Sequence, residues 1–368
     1  DTFGLLPQIT WKTQPVKIGK TNLYFNQDTS FTTFVTDLDG TRLKDDLANI
    51  ERVDLHPQIS APVRLFPWLQ FTPQVGFRET FYSDGFKGVT RLGTVSRELV
   101  DIQGILDGPK IDRILTFAGG DTVTRLKHLI EPRLQYDFIP DMDKEDRAKI
   151  RVLDGVDSVS KINRISYFLT QRLLKKVANS RGKKTTEIAR FEVSQSYDFN
   201  EAGRELTSPT DNRLPFSTLR FDWDSRPLEG LMVNFDATYN IYTSIIEAFN
   251  MDVGIKPLDG LSIVLERRLL HNTSATLLGT ISYSFLRGWS AIFSTRFDEF
   301  NEEILEKNGR LTFNDPCKCW GFSIDLIQRL NIAEGVRQND TRVLFNLTLR
   351  GLGAIEGSQG ESFIHRSF

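Results

Sequence analysis

The sequence predicts an all-β chain, a transmembrane antiparallel β-barrel built from about sixteen strands, or about seventeen with an N-terminal one. Three observations predict it. From Leu231 the odd positions Leu231, Val233, Phe235, Ala237, Tyr239 and Ile241 alternate with Met232, Asn234, Asp236, Thr238, Asn240 and Tyr242, and side chains on a strand alternate faces. The segments run about 10 residues, which rise roughly 33 Å and cover roughly 23 Å when tilted about 45°, close to the apolar band of an outer-membrane barrel, about 25 Å tall. No run of about 18 apolar residues exists to make a membrane-spanning helix. The chain is 39% hydrophobic and 26% charged over 368 residues, as expected where only alternate residues face lipid.

The alternation places strands in order at residues 23–35, 53–63, 69–82, 98–117, 127–139, 162–174, 187–199 and 219–224. Further ones follow at 231–241, 245–255, 261–270, 276–286, 289–297, 304–313, 319–327 and 343–352, and one more at 6–12. The last repeats the pattern, with Val343, Phe345, Leu347 and Leu349 against Leu344, Asn346, Thr348 and Arg350. Short connections contain Pro227 with Gly230, Pro257 with Gly260, and Gly288. Pro fixes φ there and Gly permits positive φ, the chemistry of tight turns. Longer polar stretches lie between them, at 37–52, 83–97, 140–161, 200–217 and 328–341. Barrels of this class have short periplasmic turns and longer outer loops. That orientation puts 314–319 and the residues after 352 on the periplasmic side. The basic stretch 175–186 fits it poorly, being long on the short-turn side.

A soluble sandwich is the alternative, but its strands are usually about five or six residues long. No period of roughly 20–50 residues suggests a solenoid or propeller. Pro57, Pro73 and Pro132 fall mid-strand, where a missing ladder donor marks bends or edges. Aromatics near segment ends, including Trp11, Trp68, Trp223, Trp289 and Trp320, suit interfacial girdles or an ordinary core.

Net charge is −2, so nucleic acid is not an expected partner. The four histidines are scattered without metal spacing, and no phosphate loop, nucleophile elbow or zinc-protease motif occurs. No enzyme activity, cofactor or metal is expected. Cys317 and Cys319 are the two cysteines. One intervening residue makes a bond between them difficult, which leaves idle thiols or partners elsewhere. Arg220, Asp222, Asp224, Asn234, Asp236, Arg296 and Asp298 occupy the polar face of their segments and read as a solvated lumen wall. The chain starts at Asp1 without a signal peptide, so a mature or truncated piece is expected.

Several stretches together resemble one family. They are 52–59 (RVDLHPQI), 71–80 (FTPQVGFRET), 126–136 (LKHLIEPRLQY), 317–320 (CKCW) and 345–353 (FNLTLRGLG). In this order and spacing they are similar to the C-terminal barrel of the LPS-assembly outer-membrane family LptD, the organic solvent tolerance proteins. The resemblance implies a larger barrel in the Gram-negative outer membrane, about 26 strands, of which residues 1–352 would be a portion and 353–368 a periplasmic tail. It implies lipopolysaccharide (LPS) as cargo, delivered by a periplasmic LPS bridge protein through an N-terminal jellyroll outside this chain. It implies an LptE-like lipoprotein plugging the lumen, and lateral release of the cargo into outer-membrane lipid. Val343, Phe345, Asn346, Leu347, Thr348, Leu349 and Arg350 would form the closing strand of the lateral gate. Cys317 and Cys319 would bond to cysteines of the missing N-terminal region, although the family pair is often adjacent and here Lys318 intervenes. A porin or receptor barrel is the competing function.

Overall fold

The computed structural model describes residues 4–37, 47–87, 90–119, 122–142, 144–179, 182–317, 319–333, 336–349 and 353–356. These residues are nearly all strand, as expected, with two short helices, α1 (Lys144–Lys149) and α2 (Phe199–Ala202). They group into two compact units. The first holds Asp1–Asp112, Ile130–Thr170 and Ser194–Ser217; the second holds Arg113–Leu129, Gln171–Val193 and Thr218–Phe368.

The first unit contains β1 (Gly4–Lys12), β2 (Val16–Lys17), β3 (Tyr24–Asp37), β4 (Leu47–Ser60), β5 (Val63–Phe66), β6 (Leu69–Lys87) and β7 (Thr90–Asp107). Between β7 and β12 come β8 (Ile111–Gly119), β9 (Thr122–Ile139), β10 (Ile162–Asn179) and β11 (Gly182–Asp198). The second unit contains β12 (Leu219–Ser225), β13 (Leu231–Asn240), β14 (Ile245–Leu258), β15 (Leu261–Leu270), β16 (Ser274–Leu286), β17 (Trp289–Asp298), β18 (Glu303–Asn314), β19 (Trp320–Ala333), β20 (Val336–Leu349) and β21 (Gly353–Glu356).

These 21 strand elements exceed the expected number for local reasons. Pro62 and Pro109 lack an amide donor, so β5 is counted apart from β4 and β8 apart from β7. The ladder bridges the second break, because the Gly108 amide still donates to the Pro132 carbonyl (3.0 Å) one step beyond the Asp107↔Arg133 pair. The mid-strand prolines are tolerated in the same way. The β4–β6 register runs through Leu55↔Glu79 and resumes at Gln58↔Gly76, omitting only His56 and Pro57.

The connections differ from the expected alternation of short and long. β6 and β7 pass through most of 83–97, and β19 and β20 through most of 328–341, with register held from Trp320↔Leu349 to Ala333↔Val336. Polar residues fall on both faces there, as Thr94 and Arg97 do on β7 and Asn339 and Asp340 on β20, so the sequence loses its two-face pattern while the ladder continues. Strand also covers most of the basic stretch 175–186, which removes that anomaly. The segments 140–161 and 200–217 remain true loops carrying the helices. Residues 38–46 lie outside the described residues.

Turn chemistry sets one end of the second unit. Gly230, Gly260 and Gly288 adopt φ of 77°, 80° and 85°, a region L-residues avoid. Each glycine carbonyl accepts from an amide of a neighbouring hairpin: Lys256 (2.7 Å), Ser284 (2.9 Å) and Asn314 (2.7 Å). A Cβ at Gly288 would lie 2.2 Å from the Asn314 carbonyl oxygen, so both backbone angle and space demand glycine.

Candidate functional site: two polar sheet faces

In the second unit, consecutive registers trace rows across the strands. Asp224, Asn234, Asp252, Glu266, Leu278, Arg296, Glu306, Arg329 and Asp340 stand directly opposite one another from β12 to β20. Beside them run Asp222, Asp236, Asn250, Arg268, Thr276 and Asp298. Opposite charges meet along these rows. Arg268 reaches Asp252 (2.5 Å) and Glu266 (3.1 Å), and Arg329 reaches Glu306 (3.6 Å); in a further row of the same face Arg310 pairs with Asp325.

The other face gives the complementary row Leu231, Ile255, Ile263, Ile281, Phe293, Gly309, Leu326 and Val343. Several of these are half-exposed or more, Val343 at 68%. An apolar surface this continuous, backed by a charged one, is what a wall between lipid and water requires.

The candidate wall residues are therefore brought together. Asp224, Asn234 and Arg296 share one row, Asp222, Asp236 and Asp298 the next, and Arg220 stands opposite Thr238 in a third. Asp298 also closes a turn, because its Oδ1 accepts from the amides of Phe300 (2.8 Å) and Asn301 (3.3 Å).

On β20, Phe345 pairs with Ile324 on the apolar face, and Leu347 pairs with Phe322. Asn346 lies on the polar face and donates to Asp325 (3.0 Å), within a row of Ser284, Ser290, Thr312 and Ser323. Leu349 stands opposite Trp320 and Thr348 opposite Gly321. Arg350 lies outside the described residues. The strand differs from its expected bounds in two ways. It begins at Val336, and part of the expected tail forms β21, which pairs with Asn346, Leu347, Thr348 and Leu349.

Cys317 and Cys319 are bonded to each other, with sulfurs 2.12 Å apart and Cα atoms 5.3 Å apart. This corrects the expectation that one intervening residue makes such a bond difficult. The turn between β18 and β19 brings the two Cα atoms inside the ordinary disulfide span.

The first unit holds the residues that sequence reasoning missed. Its apolar face stays open, with Val75, Phe77, Phe81, Val100 and Ile102 all exposed. Its charged face is the buried one, because loop segment 150–158 lies on it. Arg52 on β4 is 1% exposed. Its Nη1 donates to Asp154 (2.6 Å) and Asp157 (2.9 Å), its Nη2 donates to the other Asp154 oxygen (2.6 Å), and its guanidinium sits 4.8 Å from the Phe34 ring centroid. The Tyr82 hydroxyl donates to Asp157 (2.6 Å). Arg97 donates to the Val156 carbonyl (2.8 Å) and to Thr80 (3.1 Å), whose hydroxyl donates to Asp54 (2.8 Å). Phe34, Ile50, Tyr82 and Leu153 pack around these groups, with Val95 and Ile150 beside them.

Burial opposes the charge on Asp154, yet the Arg52 hydrogen bonds and the Val156 amide hold its carboxyl below the usual range. Buried charges persist only when paired in this way. The available signal was an Asp-Gly-Val-Asp run in a long connection, facing strands with arginines on their polar side.

Hydrogen bonds from one arginine to two carboxylates shape the 200–217 loop. Arg204 donates to Asp211 (2.6 and 2.9 Å) and to Glu201 (2.9 and 3.1 Å). Arg204 and then the Thr207 amide hold the Asp211 carboxyl well below the usual range.

Among solved structures, the chain is similar to a ferric enterobactin receptor mutant from Pseudomonas aeruginosa at 9% identity, covering 92% of this chain and 61% of that one, with a TM-score of 0.35. The FrpB iron transporter from Neisseria meningitidis gives 12% identity, 91% and 64% coverage, and a TM-score of 0.34. The chain thus spans less than two thirds of either, and at these scores no conclusion rests on them. No curated protein matches. The model of the family LptD, LPS transport system D, matches residues 1–278. With about three quarters of its 368 residues so matched, and with strands whose two faces suit a lipid–water wall, the chain belongs to the LptD family of outer-membrane LPS-transport proteins.

Proposed function

We propose that the chain is a portion of a barrel wall that passes LPS to the outer leaflet through a laterally opening seam. One observation carries the reading: from β12 to β20 one face is a row mostly of charged and amide side chains, and from β13 to β20 the other is a row mostly of aliphatic and aromatic ones. An amphiphile with a large glycan and several acyl chains needs both media at once. A closed wall would force one part through the wrong solvent. An open seam lets the glycan follow the polar face while the acyl chains enter lipid. Opening exposes backbone donors and acceptors along two strand edges, which is costly in hydrocarbon, so the seam must be weakly paired.

β20 suits that edge. β19 pairs with it from end to end, whereas β21 pairs with only four of its residues among those described. In this reading Val343, Phe345, Leu347 and Leu349 face lipid, while Asn346, Thr348 and Arg350 line the path of the glycan. Arg220, Asp222, Asp224, Asn234, Asp236, Arg296 and Asp298 belong to the same watery wall. An LptE-like lipoprotein would fill the lumen, and a periplasmic bridge protein would supply the cargo, as in the family.

The test is a covalent lock. In the full-length protein, a cysteine at Phe345 cross-linked to the first barrel strand should stop LPS export while the barrel stays folded. Normal export with the lock in place refutes the seam. Open ion conduction by the plugged complex in a planar bilayer would favour a porin instead.

A further inference from the structure

The polar face of the first unit also carries a cavity of about 310 Å³, separate from the Arg52 cluster and lined from β4, β6, β7, β9 and β10. Two rows form its floor. In one, Gln58 stands opposite Gly76, and Gly76 opposite Asp101. In the next, Gln74 stands opposite Gln103, and Gln103 opposite Asp137. Gly76 is the flat point. A Cβ there would lie 2.4 Å from Asp101 Oδ1, and without one the Asp101 carboxylate lies across the strand to meet His56 Nε2 at 2.7 Å.

The charges lining the cavity are matched. Its two arginines, Arg78 and Arg164, balance its two carboxylates, Asp101 and Asp137; Arg78 pairs with Asp54 (3.4 Å) and Arg164 with Asp137 (4.0 Å), while His56 Nε2 shares a hydrogen bond with Asp101. No surplus of either sign is left to recruit a phosphate or a metal ion. What remains are neutral amides and the Nε–H groups of Arg78 and Arg164, buried without a hydrogen-bond partner among the described residues. Gln103 and Gln135 each donate to Asp137 (2.8 and 3.0 Å), which leaves both carbonyl oxygens as acceptors. The Gln74 side chain has no hydrogen-bond partner among the described residues. A planar amide offers a donor pair and an acceptor side by side, the complement of vicinal hydroxyls on a sugar ring. Gln58, Gln74 and Gly76 come from the two segments His56–Gln58 and Phe71–Thr80, and Gln135 from the segment around Pro132, the stretches that carry the family resemblance.

We propose that this cavity is a saccharide-binding subsite that holds an uncharged sugar unit through its hydroxyls. The assignment rests on the transport reading only for the source of the sugar, the glycan of the passing lipid. Contacts by a few amides beside open water give weak, quickly released binding, which suits a path more than a store.

The experiment uses the full-length protein with its plug lipoprotein in detergent. Lipid-free core oligosaccharide is titrated by NMR line broadening, with inorganic phosphate as competitor. Binding of the oligosaccharide, unaffected by phosphate and weakened about five- to tenfold by Gln74→Leu with Gln103→Leu, the worth of one or two ordinary hydrogen bonds, is the expected result. No binding, binding untouched by the substitutions, or displacement by phosphate overturns the proposal. Should the double variant fail to fold, a photo-cross-linking amino acid at Gln103 in growing cells decides. Adducts with LPS at Gln103 support the subsite. Adducts at Asn346 but not at Gln103 overturn it and leave transport standing; adducts at neither overturn both.

Discussion

Arg52 Nη1 lies 2.9 Å from Asp157 Oδ1, although 105 residues separate them in the chain. Both side chains are essentially sealed from solvent. Replacing Arg52 with Ala leaves Asp157 charged, buried and without its cation, a change that costs about 3–5 kcal/mol. The loop should detach before the strands separate. Protease cleavage within 140–161 should rise sharply in Arg52→Ala while the protein keeps its heat-modifiable gel mobility. Cleavage at the wild-type rate would mean the ion pair does not hold the loop.

Gly288→Ala should destabilise the β16–β17 hairpin by about 1–3 kcal/mol, because positive φ and a backbone clash coincide there. Gly309, with open space around its Cβ position, is the control, and Gly309→Ala should be close to neutral. Urea midpoints in detergent micelles compare the two. Equal shifts would remove the turn argument.

Phe345→Arg places a charge on the apolar face of β20. A lipid-facing arginine costs about 2–4 kcal/mol near the bilayer midplane and less near its rim. Asn346→Arg, one residue on and facing the other way, should be tolerated much better. Folded protein recovered from outer membranes should therefore fall for the first variant and hold for the second.

The 200–217 loop should resist mild acid. Asp211 has its pKa lowered by Arg204 and the Thr207 amide, so its contribution is complete above the unfolded-state pKa. It disappears only as pH falls through the lower folded-state value. Amide exchange at Thr207, whose N–H donates to Asp211 Oδ2 (3.0 Å), should stay protected through the whole normal carboxylate range and be lost below it. Loss of protection near the ordinary aspartate pKa would refute the pairing.

The cysteines admit a direct measurement. A local Cys317–Cys319 bond predicts a non-reduced peptide two hydrogens lighter than its reduced form and attached to nothing else. A peptide linked to an N-terminal segment of the full-length protein would favour the family arrangement.

What the sequence makes legible follows from what each residue must satisfy. The rows through Asn234 and Leu231 were readable because a strand between lipid and water needs a different side chain at every step. The full reach of β6, β7, β19 and β20 was not, since polar residues fall on both faces there (Thr94 and Ser96 against Arg91 and Arg97, Asn339 against Asp340) and hide the alternation while the ladder continues. Residues such as Asp340 and Thr341 on β20 read as loop while keeping their ladder. The Arg52 cluster was hidden for another reason. Arg52, Asp54 and Arg97 are ordinary polar-face residues until a distant loop covers them. The partner segment, Asp154 to Asp157, lies about a hundred positions away, beyond any local pattern.

That loop has a mechanical consequence. One short stretch of chain is fastened to β4 through Arg52, to β6 through Tyr82 and to β7 through Arg97. None of these three staves can slide past its neighbour without tearing a rivet that spans them all. These three strands are consequently locked in register with one another.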